Sequence, residues 1–110
     1  MQDDNKFTVL RLQFIEAAFI VFGIMNRNMI CGTFGVSAIT ASRDMSKYLS
    51  LNPGVAYNLC TKQWEKQDSF VPTANLLTMN ADTFIMRVEQ LFDIKLAVVP
   101  VRTQLRVIQK

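Results

Sequence analysis

The sequence contains no histidine, and its two cysteines, Cys31 and Cys60, stand 29 residues apart. A zinc site needs four ligands at short spacing, so both the number and the spacing exclude one. There is no glycine-rich phosphate loop, since the chain has only four glycines. Its nine acidic residues form no convergent pair along the sequence. An enzyme is therefore the remotest function class, and no metal or cofactor is expected. A long hydrophobic run is also missing. Gln13 and Glu16 interrupt the stretch from Leu12 to Met25, and its uncharged part, Ala17 to Met25, is about half of the roughly 20 residues a membrane span needs. No membrane association is expected. Met1 to Lys6 is acidic and polar rather than a basic, then apolar, export signal. A loose start in a reducing cytoplasm is the expectation, with Cys31 a small buried residue rather than a reactive thiol.

What is present is a chain of 110 residues, half of them hydrophobic and 19% charged. That describes a single folded unit with a real core and little disorder. The net charge of +3 and pI near 9.1 are compatible with a nucleic-acid partner, but too mild to establish one.

The stretch from Asn26 to Tyr48 organises the rest. It reads as two short helices joined by a tight corner. Asn26 caps the first helix, Gly35 supplies a positive φ at the corner, and Ser37 caps the second. This is the layout of a DNA-binding helix-turn-helix. At 100° per residue, Ala41, Met45 and Tyr48 form the apolar face of the second helix. Ile39, Thr40, Arg43, Ser46 and Lys47 lie opposite, with Ser42 on the flank. Hydroxyls and cations suit phosphates, Arg43 can bridge a guanine edge, and Ile39 can meet a thymine methyl. An ordinary solvated helix face explains the same pattern. Asp44 is expected to make a structural contact within the two-helix unit.

Before this unit, a helix from Phe7 to Phe22 carries two apolar stripes: Leu12, Ile15, Phe19 and Phe22, and Leu10, Phe14, Ala17 and Val21. Either it meets a second copy of the chain, or the rest of the domain wraps it. Gly23 ends it. After the unit, Asn52-Pro53-Gly54 signals a stop. Val55 to Leu59 and Gln63 to Lys66 then read as a small hairpin, a "wing", with Lys62 near its tip and Lys66 beyond. Trp64 and Tyr57 are expected to pack the wing on the body, and Phe70 to plug back into the core. A last helix starts at Asn80 or Asp82, with an inward stripe of Phe84, Ile85, Val88, Leu91 and Phe92. The β-branched run Ile94 to Val101 and the segment Arg102 to Lys110, strand or fraying helix, follow.

These residues resemble the N-terminal winged helix-turn-helix of bacterial WYL-domain transcription regulators that control anti-phage defence operons. The resemblance runs through Arg11 to Glu16, Asn26-Arg27 with Phe34 to Ser37, and Ala41 to Met45 with Tyr48 and Pro53. It continues through Tyr57, Lys62, Trp64 and Phe70-x-Pro72. Departures are Thr40, where a Gln is frequent, and Trp64, where a Tyr is usual. The helix near Phe84 to Phe92, with Val99-Pro100 and Arg102, resembles the connector that precedes the WYL domain. No counterpart of that sensor domain is present, so no small-molecule ligand is expected.

The resemblance implies a mainly helical α+β fold. It divides into a winged helix-turn-helix over residues 1–72 and a helix and strand extension over 73–110 that serves dimerisation. The implied function is a sequence-specific regulator, a homodimeric repressor of double-stranded DNA. Ser37, Ile39, Thr40, Ser42, Arg43 and Lys47 would lie in or beside the major groove, with Arg27 and Lys62 on phosphates. The alternative is a protein-interaction module that keeps the fold and inhibits a full-length regulator by forming mixed dimers.

Overall fold

The computed structural model of the protein describes residues 5–73 and 75–96. Four helices, α1 (Lys6–Phe22), α2 (Arg27–Phe34), α3 (Ala38–Leu51) and α4 (Ala81–Phe92), combine with three short strands, β1 (Ile24–Met25), β2 (Val55–Asn58) and β3 (Gln63–Lys66). The strands form one antiparallel sheet in the order β1-β3-β2. The fold is a winged helix, mainly helical α+β.

Helix α1 is the centre. Asn5 caps it by accepting from the Thr8 N–H at 2.9 Å, so Lys6 is already helical rather than part of a loose start. Leu12, Phe14, Ile15, Ala17, Ala18 and Phe19 are all buried. Both apolar stripes are therefore covered within one chain, by α2, α3, β1 and α4, and the domain wraps its own first helix. Phe14 meets Phe34 edge-on at 5.2 Å between centroids, and Phe34 meets Phe92 in the same way at 5.2 Å, which links α1, α2 and α4. Ala81, Phe84, Ile85 and Val88 of α4 belong to the same continuous core as α1–α3.

The two polar residues that interrupt the apolar run of α1 turn inward. Gln13 donates from Nε2 to the Leu76 carbonyl at 2.9 Å. Glu16, 1% exposed, accepts from the Tyr48 hydroxyl and, at 2.7 Å, from the Thr73 N–H. Buried carboxyl oxygens need such donors. Asn52 extends the network: its Nδ2 donates to the Tyr48 hydroxyl at 3.2 Å and to the Val71 carbonyl at 2.8 Å, and its Oδ1 accepts from the Gly54 N–H at 3.0 Å.

Several expectations are revised. Asp44 does make a structural contact, but with α1 rather than within the two-helix unit: Arg11 Nε lies 2.6 Å from Asp44 Oδ2, with both side chains largely buried. Removing either partner strands the other charge, a loss on the order of 3 kcal/mol. Leu91 is 73% exposed. It sits on the last turn of α4 at the margin of the stripe, about 70° from its centre at 100° per residue. Cys31 is half-buried rather than buried. Trp64 packs on the core, whereas Tyr57 is partly exposed and rests on Trp64 (centroids 4.8 Å apart). The sheet has a third strand, β1, that the hairpin reading did not include. Phe70 does return to the core beside Phe19. Its backbone passes so close to Gly54 that a Cβ there would stand 2.5 Å from Phe70 Cα. Ile94 to Leu96 have no regular structure; Leu96 is buried, and its N–H donates to Glu89 Oε2 at 2.9 Å. The remaining expectations for Ala97 to Lys110, like those for Met1 to Asp4, lie outside the described residues.

Candidate nucleic-acid interface

The corner between α2 and α3 is built as its residue types dictate. Asn26 accepts from the Met29 N–H at 2.9 Å and opens α2. Gly35, at φ 70°, closes it, with its N–H donating to the Cys31 carbonyl at 2.8 Å. Ser37 then opens α3 by accepting from the Thr40 N–H at 3.1 Å, while its own hydroxyl donates to Thr40 Oγ1 at 3.2 Å.

Helix α3 divides cleanly. Ala41, Met45 and Tyr48 are sealed in the core, and Asp44 is pinned beside them by Arg11. Burial first, and then the hydrogen bond and charge of Glu16, push the Tyr48 phenol far above its ordinary value. Outward, Ile39 is 67% exposed, Arg43, Ser46 and Lys47 are exposed, and Thr40 and Ser42 are half-buried. The carboxylate of α3 thus faces inward beside a guanidinium, and its outer face shows cations, hydroxyls and the apolar Ala38, Ile39 and Leu51.

That outer face lines an open groove of about 930 Å³, and Arg27 from the first turn of α2 joins it. Of the residues expected to face a nucleic acid, Arg27, Ile39, Ser42, Arg43 and Lys47 line this groove together. Three of these five are cations, and no carboxylate lines the groove. Ser37 and Thr40 are not among the lining residues. They sit on the first turn of α3, with their hydroxyls paired to each other. Lys62 is also apart from the groove, exposed on the hairpin turn with φ 60°. That turn is held by Asn58, whose Oδ1 accepts from the Cys60 and Thr61 N–H groups at 2.9 and 3.2 Å and whose carbonyl accepts from the Lys62 N–H at 2.7 Å. Lys66 places its Nζ 5.8 Å from the centre of the Phe70 ring.

Two features escaped the sequence reading. Ser50 lines the groove together with Ser46, which helical phase had already placed on this face. The spacing of Ser50 from Ser42 and Ser46, i+8 and i+4, is the signal that could have found it. The second is the position of Arg27, whose Cζ lies 5.7 Å from the centre of the Trp64 ring. Nothing in the spacing of residues 27 and 64 announces that contact, because it depends on the pairing of β1 with β3.

No helix among the described residues is long and apolar enough to cross a membrane, and no group of three or more His, Cys, Asp or Glu among them is placed to hold a metal ion. No curated protein matches the chain. A family profile does: the winged helix-turn-helix domain of the BrxR transcriptional regulator, over residues 8–87. The match takes in all of α2, α3 and the wing, almost all of α1, and the first half of α4. With α3, the wing and the cationic groove in place, the chain belongs to the BrxR transcriptional regulator winged helix-turn-helix family.

Proposed function

We propose that this chain is a sequence-specific, DNA-binding repressor that acts as a homodimer on a palindromic operator in the bacterial cytoplasm, in the setting of anti-phage defence. The observation that carries the reading is the three-cation groove on the outer face of α3, backed by an inner face locked into the core. Helix α3 enters the major groove. Ile39, Ser42, Arg43 and Lys47 meet base edges and nearby phosphates, and Ser37 and Thr40 act at the first turn. Arg27 and Lys62 hold phosphates on either side. Residues 1–72 are the DNA-binding part, and residues 73–110 pair two copies so that the readers stand about 34 Å apart, one helical turn. Repression follows from occlusion of polymerase.

Footprinting of genomic DNA with the purified protein, its own promoter included, tests this. The expected result is a two-fold symmetric protected site whose affinity falls steeply as salt rises, because phosphate contacts release counterions. Protection without symmetry overturns the dimeric operator. Absence of any protection, together with mixed dimers formed with a full-length regulator, replaces DNA reading with the protein-interaction module.

A further inference from the structure

Arg27 is the first residue of α2 and is exposed, yet it has no carboxylate or hydrogen-bond partner among the described residues. Its guanidinium rests instead over the indole of Trp64, 5.7 Å from the ring centre. The fold sets up this contact. β1 and β3 pair with Met25 opposite Trp64, so the chain leaves β1, turns through the Asn26 cap and delivers Arg27 beside that ring. Trp64 itself has little freedom: it is half-buried, packs on the core, and carries Tyr57 against it at 4.8 Å. The same Arg27 lines the groove of α3.

We propose that Trp64 is a positioning residue for DNA binding, its ring holding the Arg27 guanidinium at the edge of the reader groove where a duplex phosphate passes. This rests on the DNA-reading function above. A guanidinium is planar and weakly hydrated on its faces, so it can stack while its edge N–H groups stay available for a phosphate. A free arginine side chain loses much rotamer entropy when a phosphate captures it, and stacking removes part of that cost in advance. The wing thus serves DNA through its base as well as through its tip.

Trp64 is the only tryptophan in the chain, so its emission reports directly on the ring. In the free protein, Arg27→Ala is expected to shift that emission; an unchanged spectrum overturns the stack. Arg27 is exposed, so this variant leaves the fold intact. Affinity for a labelled duplex then gives a double-mutant cycle. Trp64→Leu should weaken binding by about 3- to 10-fold in the natural background and have almost no further effect alongside Arg27→Ala. Trp64→Tyr, which keeps an aromatic face and the packing, should restore most of the loss. Trp64→Met, apolar but without a ring face, takes the place of the leucine variant in the cycle if that one fails to fold. Arg27→Lys, which keeps the charge but not the planar face, should bind more weakly than the natural protein. Equal losses from Trp64→Leu in both backgrounds would mean that the ring merely supports the hairpin, and the inference falls while DNA reading stands. If the natural protein binds no duplex at all, the DNA-reading function fails as well.

Discussion

Under the proposed function Arg43 and Lys62 would meet DNA in different ways, and the two side chains sit in different surroundings. Arg43 projects from the exposed middle of α3 within the groove, where a fork of N–H donors can grip a guanine edge. Arg43→Ala is expected to cost about 1 to 3 kcal/mol on the cognate site and to relax sequence choice. Gel shifts on cognate and random duplexes check this, and equal losses on both would remove Arg43 from base reading. Lys62 has a left-handed backbone, φ 60°, which a side chain with a Cβ adopts at a cost of roughly 1 kcal/mol. Lys62→Gly should therefore raise stability by about 1 kcal/mol in denaturant titrations. The same substitution should weaken all duplexes alike and lower the salt slope by about one charge. Stability gained where binding is lost would show a lysine retained for its charge. At this scale, the outward residues of α3 were legible from helical phase alone. The Arg27–Trp64 contact was not, because helical and strand periodicities describe neighbours along one element and say nothing of which elements meet.

Among the elements, α1 illustrates most clearly what a pattern can and cannot reveal. Its span, its glycine stop and its two stripes follow from spacing and residue type, and Asn26, Gly35, Ser37 and Asn80 all act where their chemistry placed them. The roles of Gln13 and Glu16 were not readable, since a polar residue in an apolar helix looks like an interruption until its partner is known. Their partners lie 32 residues or more away, at Tyr48, Thr73 and Leu76. Strand β1 was missed for a related reason. Two residues between a glycine stop and an asparagine cap carry no strand signature, and only pairing with β3 makes them one.

The buried Glu16–Tyr48 pair makes the stability of the fold depend on alkaline pH. The folded state raises the Tyr48 phenol well above the value it has in the unfolded chain, about 10. The native state therefore keeps a proton that the unfolded state loses. The contribution is fully present below about pH 10 and declines as pH rises beyond it, by up to roughly 1.4 kcal/mol per pH unit. Tyr48→Phe should cost about 1 to 3 kcal/mol at neutral pH by stranding a buried Glu16 oxygen. It should also flatten the alkaline decline relative to the natural protein, as read from denaturation midpoints between pH 9 and pH 11 on the order of the tyrosine range. Parallel alkaline curves for the two proteins would show that Tyr48 is not the group responsible.

For the molecule as a whole, the order of elements and the winged-helix class were present in the sequence as a succession of caps, stripes and turn signals. What covers what was not. The second stripe of α1 was as consistent with a partner copy as with the chain's own helices, and α4 settles the matter by joining the same core. The large apolar side chains that α4 leaves uncovered are Leu91, 73% exposed at the margin of its inward stripe, and Met86, 50% exposed on another side. If residues 73–110 pair two copies as proposed, Leu91→Arg should shift the protein from dimer to monomer in sedimentation while changing its melting temperature little. A dimer that survives this change would place the contact elsewhere.

The chain that leaves the wing is stitched down as it goes: the Val71 carbonyl to Asn52, the Thr73 N–H to Glu16, and the Leu76 carbonyl to Gln13. Asn52 is also the cap that ends α3. The trailing end of α3 and the chain that leads towards α4 are consequently anchored through one another, and loosening one should loosen the other.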